Sequence, residues 1–168
     1  ILTAGGISTY MHTDVTNDND VKKLVANTVK KYGSLDVIVN NAAAHGRAAL
    51  LETTEEEWDR VMAVGAKGMF FGCKYAIEQM LKQNPRQGSE VRGRIVNISS
   101  QHGMIRAPND FAYGVSKACA VYMTRQIAGD YAKFGIVCNA VAPGKILTGK
   151  TGATIAPEAI SYSEDRTP

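Results

Sequence analysis

The sequence is poor in the residues that carry metal and disulfide chemistry: three cysteines, three histidines and one tryptophan in 168 residues. Cys73, Cys119 and Cys138 are far apart, odd in number and set in apolar segments. They read as reduced core thiols in a reducing compartment, and hence as a cytoplasmic signature. His12, His45 and His102 are isolated from one another and no His or Cys pair has ligand spacing, so no metal is expected. Charge of one sign is also scarce. Lys and Arg number 19 against 16 Asp and Glu, a net +3 too mild to suggest nucleic acid or an anionic membrane. No apolar run reaches the length of a membrane span, and no signal-peptide pattern is present. A starting methionine is missing as well. The chain begins at Ile1 and ends at Pro168 inside "SYSEDRTP", and both ends read as cut from something longer.

What is present is a regular alternation. Apolar residues at 45% and charged residues at 21% are ordinary for a globular domain with a core of its own. Residues 7–15, "ISTYMHTDV", read as a short strand after the helix-ending "AGG". A helix is expected from Asp18 to Tyr32, with Val21, Leu24, Val25 and Val29 on one face and Gly33 as the stop. "LDVIVNNA", "GRIVNISS" and "IVCNAVAPG" are short apolar runs suited to strands buried on both faces. Between them, "TTEEEW" offers two overlapping capping boxes, Thr53 with Glu56 and Thr54 with Glu57, for a helix over 55–83. A second long helix spans 112–134 and ends at Gly135. The order β-α-β-α-β-α-β predicts an α/β fold, a parallel sheet covered by helices on both faces.

The chemistry gathers in "SSQHGMIRAPNDFAYGVSK", residues 99–117. Tyr113 and Lys117 lie four apart on a helix and share a face. A tyrosine with an ordinary pKa of about 10 is a poor acid–base group near neutrality, and a nearby ammonium would bring it down. Ser100 ends a buried strand, where ligands of parallel sheets collect, and its hydroxyl could bind a carbonyl oxygen on which charge develops. Singly these features are weak. Together with "NNA" (40–42), "NISS" (97–100) and "NAVAPGKILT" (139–148) they form a constellation in order and spacing.

On these motifs the sequence resembles the short-chain dehydrogenase/reductase family, from Asp14 through Thr148. The resemblance implies a Rossmann-like, doubly wound domain and hydride transfer between NAD or NADP and a carbonyl/alcohol pair, as in an alcohol dehydrogenase or carbonyl reductase. It implies Tyr113 as acid/base, Lys117 as its partner and ribose ligand, and Ser100 as the group binding the reacting oxygen. Asp14 and Val15 match the adenine contacts, Asn40, Asn41 and Ala42 the segment beside the ribose, and Pro143, Gly144, Ile146 and Thr148 the segment facing the nicotinamide. His102 and Arg106 fall where a substrate pocket would be. Residues 145–168 occupy the substrate-loop position, and their small and polar side chains suit a sugar or polyol. The family packs its two long helices against a second copy, so a homo-oligomer, dimer or tetramer, is expected. Phe70, Phe71, Tyr75, Met80, Tyr122, Met123 and Ile127 are surplus to one helix face.

The sequence also departs from the family. Gly65 stands where the family usually has an asparagine that helps relay protons, and Ala43 where glycine is common. A glycine in mid-helix costs about 1 kcal/mol against alanine and invites a kink. The glycine-rich phosphate turn is absent. Residues 1–168 therefore read as one partial domain holding family strands 3, 4, 5 and 6, without 1, 2 and 7. In the order 3-2-1-4-5-6, strand 3 would then sit roughly 14 Å from strand 4 across a two-strand hole. The alternative function is a catalytically impaired chain that acts only through association.

Overall fold

The computed structural model describes residues 1–146. Its centre is a parallel sheet of three strands in the order β1 (Val37–Asn40), β2 (Gly93–Ile98), β3 (Ile136–Val141). Val39 pairs with Val96, which pairs in turn with Asn139. Each crossover is helical: α2 (Glu55–Met62) and α3 (Gly68–Met80) lead from β1 to β2, and α4 (Phe111–Tyr131) from β2 to β3. Helix α1 (Asp18–Tyr32) precedes the sheet. Helices α1 and α4 and the three strands fall where periodicity and capping put them, and α2 with α3 occupy the span expected for one helix. Asn17 caps α1 by accepting from the amides of Asn19 and Asp20, and Gly33 ends it at φ 88°. Of the two candidate caps before α2, Thr54 accepts from the Glu57 amide, whereas Thr53 donates to the Ala49 carbonyl.

Two expectations fail. The first is the strand at residues 7–15. That segment joins no sheet and lies along α1, where Thr9 Oγ1 meets Tyr32 Oη at 2.8 Å and Asn27 Nδ2 reaches Met11 Sδ at 3.2 Å. An extended apolar segment becomes a strand only where a ladder partner stands beside it, and this segment lies against α1 rather than along the open edge of β1. Helix α1 itself is docked firmly. Val21 and Val25 enter the core, and Tyr75 Oη of α3 donates to Asp18 Oδ1 at 2.5 Å, which pushes the phenol up to about 12.

The second is the double covering of the sheet. Gly93, Ile95 and Asn97 of β2, with Ile136 and Cys138 of β3, are buried beneath α3 and α4. The opposite face carries Val37, Val39, Val137 and Val141, all exposed. Among the described residues the domain thus has two layers. The parallel, helix-linked order is that of a Rossmann-like fold, but helices cover one face.

The helix expected over 55–83 is interrupted by a π turn, Ala63–Lys67, between α2 and α3. Gly65 sits in this turn, buried, and a Cβ there would meet Ser116 Oγ at 2.8 Å and Ser116 Cβ at 3.0 Å. The absence of a side chain lets the turn press directly on α4.

At the centre of the covered face lies the amide of Asn97, fully buried. Its Oδ1 accepts from Asn40 Nδ2 at 2.8 Å and lies 3.5 Å from Cys73 Sγ. Its Nδ2 donates to Thr124 Oγ1 at 2.9 Å, and that hydroxyl donates onward to the Ala120 carbonyl. One side chain thereby joins β1, β2, α3 and α4. Replacing it leaves two of these partners without their bonds, each costing about 1–3 kcal/mol when desolvated. Asn97→Ala is expected to lose about 2 kcal/mol or more in a urea unfolding titration, a larger loss than its change in volume alone would cause.

Candidate active site

The strands' carboxyl ends place the three central residues. Ser100 lies two residues past the end of β2 and its Oγ accepts from the His102 amide at 3.2 Å. Tyr113 and Lys117 sit in the first two turns of α4. Lys117 is only 2% exposed and donates from Nζ to the Ile98 carbonyl at 2.7 Å, with Nζ 5.5 Å from the centre of the Tyr113 ring. Ser99, also buried, donates to the Lys117 carbonyl and so ties the strand end to the helix.

The electrostatics differ from the expectation that Lys117 pulls Tyr113 down. Burial pushes the Tyr113 phenol above its ordinary value, the Ser100 hydroxyl opposes that rise and the Asp110 carboxylate adds to it. Burial also holds Lys117 below its ordinary value. The reason is geometric: the ammonium is engaged by Ile98 and stands over the ring, away from a direct bond to the phenol oxygen. A Ser-Tyr-Lys trio of this kind, its serine and lysine buried and its tyrosine half-buried, can hold a carbonyl oxygen between a hydroxyl and a phenol and pass it a proton.

Residues expected to touch a cofactor divide into those the fold assembles and those it does not. Val15, Asn40, Asn41 and Ala42 line one cleft of about 180 Å3 beside β1, together with Val64 and Gly68. Gly68 is pressed against Val15, and a Cβ on Gly72 would strike Asn40 Oδ1. The cleft is smaller than the 300–1,000 Å3 typical of a site for a whole drug-sized ligand. The Asn40 amide nitrogen is committed to Asn97 and Cys73. Asp14 lies outside the lining. Its carboxylate accepts from the Thr16 amide and hydroxyl, which hold it below the usual range. Pro143, Gly144 and Ile146 follow β3, where the Pro143 carbonyl accepts from the Gln101 amide, and Thr148 lies outside the described residues. Arg106 is exposed and makes no hydrogen bond or ion pair among the described residues.

Two residues reach Tyr113 that motif reading passes over. His45, from the loop after β1, stacks on its ring with centroids 4.5 Å apart. Asp110 Oδ2 holds His102 Nδ1 at 2.5 Å, and the His102 ring stands perpendicular to Tyr113 at 6.1 Å. Neither had a sequence signal beyond its place in a loop next to a motif.

A family model described as enoyl-(acyl carrier protein) reductase matches residues 1–168. An uncharacterized oxidoreductase of Thermotoga maritima is 42% identical over 144 residues, 86% of this chain and 54% of that protein. A 2-(R)-hydroxypropyl-CoM dehydrogenase of Xanthobacter autotrophicus is 40% identical, covering 84% and 55%. A crystal structure from Burkholderia xenovorans, described as a short-chain dehydrogenase/reductase, superposes with a TM-score of 0.85 at 29% identity, over 99% of this chain and 62% of that one. The chain belongs to the short-chain dehydrogenase/reductase family. It spans about half the length of the curated relatives it matches.

The buried lysine gives a stability test. Its lowered pKa means that the folded chain binds fewer protons than the unfolded one between that value and 10.5. The penalty for burying the charge is full below the lowered value and fades as pH rises through it. Lys117→Met is expected to unfold at higher urea than the parent at pH 7, by on the order of 1 kcal/mol. The gap should narrow toward pH 10, as urea midpoints across that range would show.

Proposed function

We propose that the protein is an NAD- or NADP-dependent oxidoreductase acting on a carbonyl/alcohol pair, an alcohol dehydrogenase or carbonyl reductase. The observation that carries this reading is the convergence of Ser100, Tyr113 and Lys117 at the carboxyl end of β2 and the start of α4, beside the cleft lined by Val15, Asn40, Asn41 and Ala42. The nicotinamide supplies the hydride when bound. Ser100 holds the reacting oxygen, and Tyr113 gives or takes its proton. Lys117 offsets the charge that appears on the phenol when the proton leaves, an effect that becomes important once the phenolate forms. Val15 and the backbone of 40–42 would lie against the adenosine half, and Pro143, Gly144 and Ile146 against the nicotinamide half. A sugar, polyol or other small hydroxylated substrate is the reading of the small and polar residues at 145–168, of which 147–168 lie outside the described residues. A cytoplasmic setting accords with three free thiols. No helix of the described residues is long and apolar enough to cross a membrane.

The test is a fluorescence titration of the purified chain with NADH and with NADPH, followed by a substrate screen. Saturable binding and a carbonyl-dependent loss of reduced nucleotide are expected. Tyr113→Phe should bind as the parent does and lose about 10²–10⁴ in turnover, the usual contribution of a positioned acid. A folded chain that binds neither nucleotide would overturn the reading in favour of a chain that acts by association alone.

Association with a second copy belongs to the same proposal. Phe71, Tyr75 and Met80 are core residues, but Phe70 and Tyr122 are exposed. With Val115, Ala118, Cys119 and Met123 they line a groove of about 630 Å3 between α3 and α4. A second hollow, bordered by Phe70, Ile77, Leu81, Met123, Ile127 and Tyr131, continues it. A charge at the centre of such a patch opposes burial. Tyr122→Glu is expected to sediment as a monomer where the parent sediments as an oligomer.

A further inference from the structure

The turn Gln101–Gly103 lies directly on the helix that carries Tyr113 and Lys117. Two glycines permit this contact. A Cβ on Gly103 would meet the Lys117 carbonyl at 2.6 Å, and one on Gly114 would meet the His102 carbonyl at 3.2 Å. Asp110 occupies the N-cap position of α4, yet its side chain makes no capping bond. It reaches His102 instead, at 2.5 Å between Oδ2 and Nδ1, with both side chains largely enclosed. The preceding Asn109 adopts φ 52°, a left-handed conformation uncommon outside glycine, and so turns the chain for Asp110 to make this reach. A favourable cap and an easy backbone are both given up for one hydrogen bond.

We propose that Asp110 and His102 are positioning residues of the Ser100–Tyr113–Lys117 site, a clamp that fixes the turn after β2 to α4 and sets the surroundings of Tyr113. The inference rests on the reading of that trio as the reacting groups. Bonding to Asp110 commits Nδ1 as a donor and leaves Nε2 as the only free nitrogen of the His102 ring. The His102 amide meanwhile holds Ser100 Oγ, so the clamp reaches the serine hydroxyl as well as the tyrosine. The charged and titratable groups around Tyr113 are His45 from the loop after β1, His102 from the turn, Asp110 and Lys117 from α4, with the Ser100 hydroxyl beside them.

Amide hydrogen exchange and a pH titration of ¹³Cζ-labelled tyrosine on the cofactor-free chain test the clamp, the Tyr113 signal being assigned with Tyr113→Phe. The amides of His102, Gly103, Met104 and Ile105 bond to Ser100 and Gln101. In Asp110→Ala they should exchange about tenfold faster or more, as expected for losing one bond to a charged group, while those of β2 and β3 hold. His102→Ala should speed the same amides, and the double variant should be no faster than either single one. The Tyr113 midpoint should fall in Asp110→Ala, because a negative charge beside the phenol is gone. Asp110→Asn keeps an acceptor for His102 and removes only the charge, so it should lower that midpoint with the turn still protected, and it reads the effect should the alanine variant fail to fold. Unchanged exchange in both single variants would overturn the clamp. A Tyr113 curve superimposable on the parent's in both Asp110 variants would reduce it to a loop tie with no role at the site. Neither readout needs a nucleotide, so a chain that fails to bind NADH would refute the proposed function and leave this result standing.

Discussion

One buried amide holds the sheet and its helices in register. Asn97 lies in the middle strand, and its two ends bond in opposite directions, toward Asn40 of β1 and toward Thr124 of α4. A buried polar group without partners is costly, and this one has every partner it needs only when β1, β2 and α4 are all in place. The same arrangement aims the strands' carboxyl ends. Three residues beyond Asn97 stands Ser100, and the helix that supplies Thr124 carries Tyr113 three turns and Lys117 two turns earlier. The geometry of the candidate site thus depends on a contact that touches none of its reacting groups.

Much of this was legible in the sequence, and the reasons are local. Helix α1 has a cap at Asn17, a stop at Gly33 and an apolar stripe between them, and such signals need no distant partner. The three strands are short apolar runs bounded by turn residues, and their helix-linked order dictates parallel pairing. The trio was legible because its members sit at fixed offsets on one strand end and one helix. Residues 7–15 misled because strand propensity expresses itself only against a neighbouring strand. The double covering misled for the same reason: two-sided apolar strands announce what they could accept on each face, and the described residues supply helices for one.

The site's finer electrostatics lay further beyond reach of pattern. A tyrosine and a lysine four apart suggest mutual influence, but whether the ammonium addresses the phenol or a carbonyl depends on where the strand end stops. Here Ile98 takes the ammonium, and burial governs both groups. Gly65 is similar. It departs from a motif, and in the structure it also gives Ser116 the space in which α4 meets the π turn. His45 and Asp110 had no pattern at all. They arrive at Tyr113 through loops, whose paths are set by contacts such as the Phe111 amide with the Ala48 carbonyl.

The bare side of the sheet has a thermodynamic consequence. Among the described residues nothing covers Val37, Val39, Val137 and Val141, so unfolding of those residues taken alone uncovers less fresh apolar surface than a domain covered on both sides would release. Heat-capacity change and denaturant slope both scale with newly exposed surface. The stability curve of these residues is accordingly flatter with temperature and their urea transition broader. Any element that came to cover those valines would sharpen both.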